Sequence, residues 1–331
     1  MNPSRAILLG CVLAVRALGQ SAPLKLIQTI PLPGVEGRMD HMSVDVKGQR
    51  LIASGLANGT VEIVDLAAGK RVHTIAGVKE PEGVLYVADL KLIYVADGEG
   101  GAVHVFDGES YKPLHVTTSL PHSDNLRYDP GTQRVYVGFG DGADAGLGIL
   151  EATDGSLIGV INLEGHPESF QFEKTTGRRI FVNVPPAGHI AIIDPGKRRV
   201  MEKWPVTSVR GFYPMALDEA GQRLFIGSRR PPKLVVFDTK SGQMVISVDG
   251  AVDTDDLFYD APHKRIYMSG GDGFVSVFQR RDADQYQPVA KVPTGPGARI
   301  SLFVPELNRL YVAVPRRGRQ SAEVLVFDVQ P

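Results

Sequence analysis

Hydrophobic and polar positions alternate along this chain in runs of four to seven residues, each closed by a turn rich in glycine, asparagine or aspartate. The pattern is clearest early on: residues 42–46, a turn at Lys47-Gly48-Gln49, residues 50–54, a turn at Ala57-Asn58-Gly59, residues 60–66, a turn at Ala67-Ala68-Gly69, then residues 71–75. Alternation with a period of two predicts half-buried strands, and Asn-Gly between two such runs is a strong hairpin signal. Strands joined by tight turns pair antiparallel, so the unit is a four-stranded meander. It recurs seven times at intervals of about 43 residues, opening at Arg50, Lys91, Arg134, Arg179, Arg223, Arg265 and Arg309. The third strands repeat as VEIVD (61–65), VHVFD (103–107), IAIID (190–194), LVVFD (234–238), VSVFQ (275–279) and VLVFD (324–328). This period predicts an all-β chain folded as one seven-bladed β-propeller of four-stranded antiparallel blades over residues 20–331. The seventh unit stops after its third strand, and KLIQTIP (25–31) stands ahead of the first. The N-terminal segment is therefore expected to complete the last blade and close the ring, removing an open edge.

The runs LIYVAD (92–97), RVYVGFGDG (134–142) and RLYVAV (309–314), each leading towards a V-x-V-Φ-D strand and turn, resemble the YVTN-repeat, or YncE-like, seven-bladed propellers. The resemblance spans residues 24–331 and implies the fold. It also implies export and a kinship with lactonase-like propellers, whose fold hosts binding proteins and enzymes alike.

Composition adds a location and removes some partners. Net charge is −1, so nothing points to nucleic acid. Arg5, the apolar stretch 6–15 and Ala17-Leu18-Gly19 read as a cleaved leader over residues 1–19, and the mature chain is expected in the periplasm or secreted. Cleavage would remove Cys11, the one cysteine, leaving a chain without disulfides. Leu8-Leu9-Gly10-Cys11 offers a weaker lipoprotein reading, because its apolar run is short. No segment after the leader is long and apolar enough to span a bilayer, and a monomer is expected.

Polar residues divide into those that repeat and those that do not. Asp65, Asp107, Asp194, Asp238 and Asp328 end third strands and are expected to cap their own turns. The pairs Asp45/Arg50, Asp129/Arg134, Asp218/Arg223 and Asp260/Arg265 are spaced to bridge the first hairpin of a blade. Both sets belong to the scaffold, since one site does not need a copy in each blade. The loops leading into the inner strands are unlike one another and crowded with ionisable groups: GRMDH (37–41), KEPEG (79–83), LPHSDN (120–125), GHPES (165–169), VRGFYP (209–214), DTDD (253–256) and GPGARI (295–300).

Counting back from the acid that ends each inner strand puts Asp40, Asp124, Glu168 and Asp255 at one level, with His41, Asn125 and Asp256 one residue later. His122 and His166 precede two of those acids by two residues. In a propeller these loops meet at the mouth of the central channel, where carboxylates need protons, a cation or basic partners. The expected ligand-binding set is Asp40, His41, Glu82, His122, Asp124, Asn125, His166, Glu168, Arg210, Tyr213, Asp255, Asp256 and Arg299. A divalent cation on Asp40, Asp124, Asn125, Glu168 and Asp255 is one compensation, Ca²⁺ before Zn²⁺ given the oxygen donors; simple solvation of these loops is another.

Two functions fit. The first is a binding or scaffold module of the cell envelope, holding a small molecule or a protein on this face. The second is a lactonase-type hydrolase, with His122 or His166 as general base, a carboxylate from Asp40, Asp124, Glu168 and Asp255 positioning a cation or activating water, and Arg210 or Arg299 facing the oxyanion. No GxSxG elbow or phosphate loop is present.

Overall fold

A computed structural model describes residues 22–175 and 177–331. The leader and Cys11 lie outside the described residues. Within them are seven four-stranded antiparallel sheets. Blade 1 is Met42–Asp45, Arg50–Gly55, Thr60–Asp65 and Lys70–Ala76, joined in sequence order. Blades 2 to 6 repeat this grammar from inner strands Pro81–Val87, Leu126–Asp129, Phe170–Phe172, Arg210–Asp218 and Thr254–Asp260. Blade 7 consists of Ile300–Val304, Arg309–Val314 and Ala322–Val329, and its outer strand is Leu24–Leu32. That strand pairs antiparallel with Ala322–Val329, Ile30 against Val324 and Leu32 against Ala322. The ring is closed as the sequence predicts. No described helix is long and apolar enough to cross a membrane.

Packing explains the strand alternation. Second strands are buried almost throughout, because each blade is covered on both faces by its neighbours. Aromatic residues fill the wedge between blades: Phe181 and Trp204 of blade 4 meet Phe212, Leu224 and Phe237 of blade 5 in one cluster. Outer strands alternate instead, leaving Val72, Leu114 and Val160 in solvent.

Register corrects the repeat in blade 2. Leu92 lies opposite Val87 and Asp107, the places that Arg50 holds against Asp45 and Asp65. Lys91 sits one residue earlier, at φ +54°, where other blades place Gln49, Gln133, Gln222 and Asn308 in the same left-handed turn. The second copy thus opens at Leu92, not Lys91.

The scaffold acids act partly as expected. Asp65, Asp107, Asp194 and Asp238 each accept a backbone N–H three residues on. Of the four hairpin pairs, only Asp45–Arg50 forms, at 2.6 Å. Elsewhere the ladder places each arginine between a first-strand and a third-strand partner, and Arg134 pairs with Glu151 and Arg223 with Asp238. The first-strand acids are taken by other donors, Asp129 by the Gly131 N–H and Thr132 and Asp218 by the Gly221 N–H and Arg280.

Candidate functional site: a carboxylate-rich cavity at the channel mouth

One backbone device aims the site. In blade 1 the Asp40 N–H donates to Ser54 O (3.0 Å) while the Ser54 N–H donates to His41 O (3.1 Å), setting two residues against one. The same pair of bonds joins Asp124 and Asn125 to Gly138, and Glu168 and Ser169 to Asn183. Blades 2, 5 and 6 shift register at the matching place, between Pro81 and Val84, Phe212 and Met215, and Thr254 and Leu257. A bulge bends the strand and re-aims its side chains. Six inner strands thus carry a bulge where they reach the mouth. Counting back five residues from the inner-strand residue that faces the start of the second strand (Asp45, Val87, Asp129, Glu173, Asp218, Asp260 and Val304) gives Asp40, Glu82, Asp124, Glu168, Tyr213, Asp255 and Arg299. The level read from sequence with four acids is filled in all seven blades.

Glu82, Asp124, Glu168, Tyr213 and Asp255 meet at an open cavity of about 420 Å³. Its wall includes Arg38, Glu82, Asp124, His166, Glu168, Tyr213, Arg229 and Asp255. Below it a constriction of about 30 Å³ adds Asp40, His41 and Asn125. Expected members are thereby brought together from six blades.

Partners divide the acids. Asp40, its side chain 2% exposed, holds Arg38 at 2.5 Å. Asp255 holds Arg229 at 2.8 Å, with Arg299 at 3.9 Å on its other oxygen. His41 lies within 3.7 Å of Asp40 and Asp124 and 3.5 Å of Asp256, whose second oxygen accepts the Ser301 N–H. Arg127 donates to Asn125 Oδ1, turning the Asn125 amide onto His41 Nε2 at 2.9 Å. Asp124 Oδ1 is buried and has no hydrogen-bond partner. Glu168 makes no hydrogen bond or ion pair through its side chain among the described residues.

Proton affinities follow. Burial, reinforced by Asp124 and Asp40, pushes Glu82 up to about 10. Burial, with Asp124 beside it, raises Glu168 to about 8, and burial with Asp40 nearby raises Asp255 to about 7. Burial also raises Asp40. Asp124 goes the other way: burial opposes its charge, but His166, His41 and Arg38 outweigh it. Burial likewise works against the His166 cation, yet Asp124 holds that imidazole up at about 9. Burial opposes His41 too, and Asp40 and Asp256 raise it well above the ordinary histidine value. Asp124 is thus the acid of this cluster whose neighbours favour its charged form.

Some expected residues fall outside this cluster. Arg210 is exposed and lines neither the cavity nor the constriction. Its expected place near a ligand is taken by Arg229, which reaches in from the neighbouring strand and stacks 4.3 Å over Tyr213. Arg299 is turned to Asp253 (3.1 Å) and Asp255, so it faces no ligand space in the main cavity. His122 does line the cavity, but at its outer wall, its side chain 64% exposed and paired with Asp141. Asn125 and Asp256 support His41 rather than face the cavity. The cation set expected from sequence is broken up accordingly: Asp40, Asn125 and Asp255 are committed to protein partners, while Asp124 and Glu168 remain.

Sequence reasoning missed Arg127, which stacks 5.7 Å from the Phe170 ring and organises Asn125. A signal existed. Other blades carry Ser43, Leu85, Gln171, Ala216, Phe258 and Leu302 at that inner-strand position, and only blade 3 carries a charge. Asp97 was also missed; it accepts the Lys79, Glu80 and Gly100 N–H groups and pins the loop bearing Glu82.

No family model and no curated protein sequence matches the chain. Solved structures do. A Kuenenia stuttgartiensis hydrazine synthase chain is similar with TM-score 0.73 and 16% identity over 85% of this chain and 95% of that one. A chain of a mitotic checkpoint complex is similar with TM-score 0.78 and 13% identity, covering 100% of this chain and 99% of that one. At such identities the likeness establishes the fold alone: the protein is a seven-bladed β-propeller.

Proposed function

We propose that this propeller is a binding module whose ligand sits in the channel-mouth cavity and carries positive charge. The carrying observation is the crowding of acids there, several of which keep protons that a bound cation can displace. Glu80, Glu82, Asp124, Asp141, Glu168 and Asp255 line the cavity, against Arg38 and Arg229 as its permanent cations. Asp124 Oδ1 and Asp255 Oδ2 are both buried without a hydrogen-bond donor, and such groups cost stability unless something binds them. The leader supports placing the module outside the cytoplasm, in the periplasm or beyond, where the site would meet a small ligand or an envelope partner.

The test is thermal melting of chelator-treated protein with divalent cations and with spermidine, an organic polycation. A bound cation raises the melting temperature in proportion to ln(1 + [L]/Kd). We expect saturable stabilisation by at least one of these probes in wild type and none in Asp124→Asn/Glu168→Gln. Equal behaviour of the two proteins contradicts the reading.

A second reading, the lactonase-type hydrolase, is favoured by His166 and Glu168 lining the same cavity as Arg38 and Arg229. There Glu168 would take a proton from water as its oxygen adds to the lactone carbonyl. Arg38 or Arg229, rather than Arg210 or Arg299, would face the oxyanion. His166 would return a proton to the ring oxygen as the C–O bond breaks. A lactone panel showing no hydrolysis above the Glu168→Gln background contradicts it.

A further inference from the structure

Three side chains in the cavity are arranged unlike the rest. Asp124, His166 and Glu168 each offer a ligand atom, and all three atoms lie within 4.8 Å of one another. They come from two adjacent blades: Asp124 from the bulge of blade 3, His166 and Glu168 from the lead-in loop and bulge of blade 4. The His166 Nδ1–H donates to Gly140 O at 2.8 Å, which fixes the ring with Nε2 facing Asp124 Oδ2 at 3.7 Å, where a metal would take the place of the Nε2 proton. An imidazole held through its far nitrogen by a backbone carbonyl is how proteins orient a metal-binding histidine. Two ligands on bonds of about 2.1 Å stand roughly 3.4 Å apart at a tetrahedral angle, close to this spacing.

We propose that Asp124, His166 and Glu168 form a three-ligand centre for a divalent transition metal, with its remaining coordination positions open to the cavity. This rests on the cation-binding reading above and names its cation. One imidazole nitrogen with two carboxylates suits Zn²⁺, Mn²⁺, Co²⁺ or Ni²⁺. Ca²⁺, the cation expected from the sequence, wants six to eight oxygens, whereas this set offers one nitrogen and two carboxylates, with Asp40 and one oxygen of Asp255 held by Arg38 and Arg229. A dication would offset the charge of Asp124 and take the place of the protons that Glu168 and His166 hold. Three protein ligands, rather than four, is the composition of sites that bind a further molecule on the metal.

The experiment uses tag-free protein, dialysed against chelator and titrated with Zn²⁺, Co²⁺ and Ca²⁺ by calorimetry, with spermidine as a non-metal cation. The inference expects one equivalent of Zn²⁺, at least 100-fold tighter than Ca²⁺, and at least a 100-fold loss of Zn²⁺ affinity in His166→Gln. Wild type loaded with Co²⁺ is expected to show visible d–d absorption that Zn²⁺ displaces, a readout that needs no variant. Zn²⁺ affinity unchanged in His166→Gln, or Ca²⁺ bound more tightly than Zn²⁺, overturns the inference. Spermidine binding without any metal binding overturns it while leaving the cation-binding reading intact. Absence of binding by every probe overturns both.

Discussion

Deleting residues 22–32 is expected to abolish cooperative folding. Leu24, Ile30 and Leu32 are at most 3% exposed, and fully burying an aliphatic side chain stabilises by about 1.5–3 kcal/mol. Ladder bonds along Leu24–Leu32 add about 1 kcal/mol each. The loss is comparable with the roughly 5–15 kcal/mol by which whole domains are stable. It also bares the Ala322–Val329 edge, a ready template for pairing with another chain. The truncated protein should therefore elute as aggregates and melt without a sharp transition. A synthetic peptide of residues 22–32 added during refolding should restore part of the monomer. A truncated chain that stays monomeric and melts at the wild-type temperature would contradict the closure.

Gly83→Ala should damage stability and site at once. The bulge places Gly83 beside the neighbouring inner strand, where a Cβ would lie 2.3 Å from Asp124 O and 3.3 Å from Leu126 N. Both are backbone atoms and cannot turn aside, so blades 2 and 3 must separate. Overpacking of this kind costs about 1–3 kcal/mol, and the strand that yields is the one carrying Asp124. For a chain of this size that is a fall in melting temperature of about 1.5–4.5 °C, together with weaker cation affinity. Chemical denaturation and calorimetry on one preparation check both effects. A variant as stable and as strongly binding as wild type would mean that the blades can part freely there.

The fold was legible because its grammar is local. Alternation, Asn-Gly turns and a fixed period give blade number and closure without any knowledge of packing. Lys91 shows the limit: a basic residue before Leu92 looks like Arg50, but the turn takes Lys91 into the left-handed position and the ladder starts one residue later. The ring of Asp40, Asp124, Glu168 and Asp255 was legible because it is fixed by counting. Glu82, Tyr213 and Arg299 are candidates whose common level appears only with the register. Which partner each group takes was not legible. Arg210 and Arg229 stand almost opposite each other on paired strands, yet only Arg229 reaches Asp255, through a side-chain direction that no spacing encodes. The choice of Asp124, His166 and Glu168 depends likewise on Arg38 and Arg229 having claimed the other acids.

The central claim is that the channel mouth is a cation site built on those three residues. Anomalous diffraction from crystals of chelator-treated protein soaked in Zn²⁺ tests it most directly. The account predicts one strong peak within about 2.0–2.2 Å of His166 Nε2 and of an oxygen each from Asp124 and Glu168. Density confined to exposed groups such as His122 and Asp141, with none between the three ligands, would contradict it.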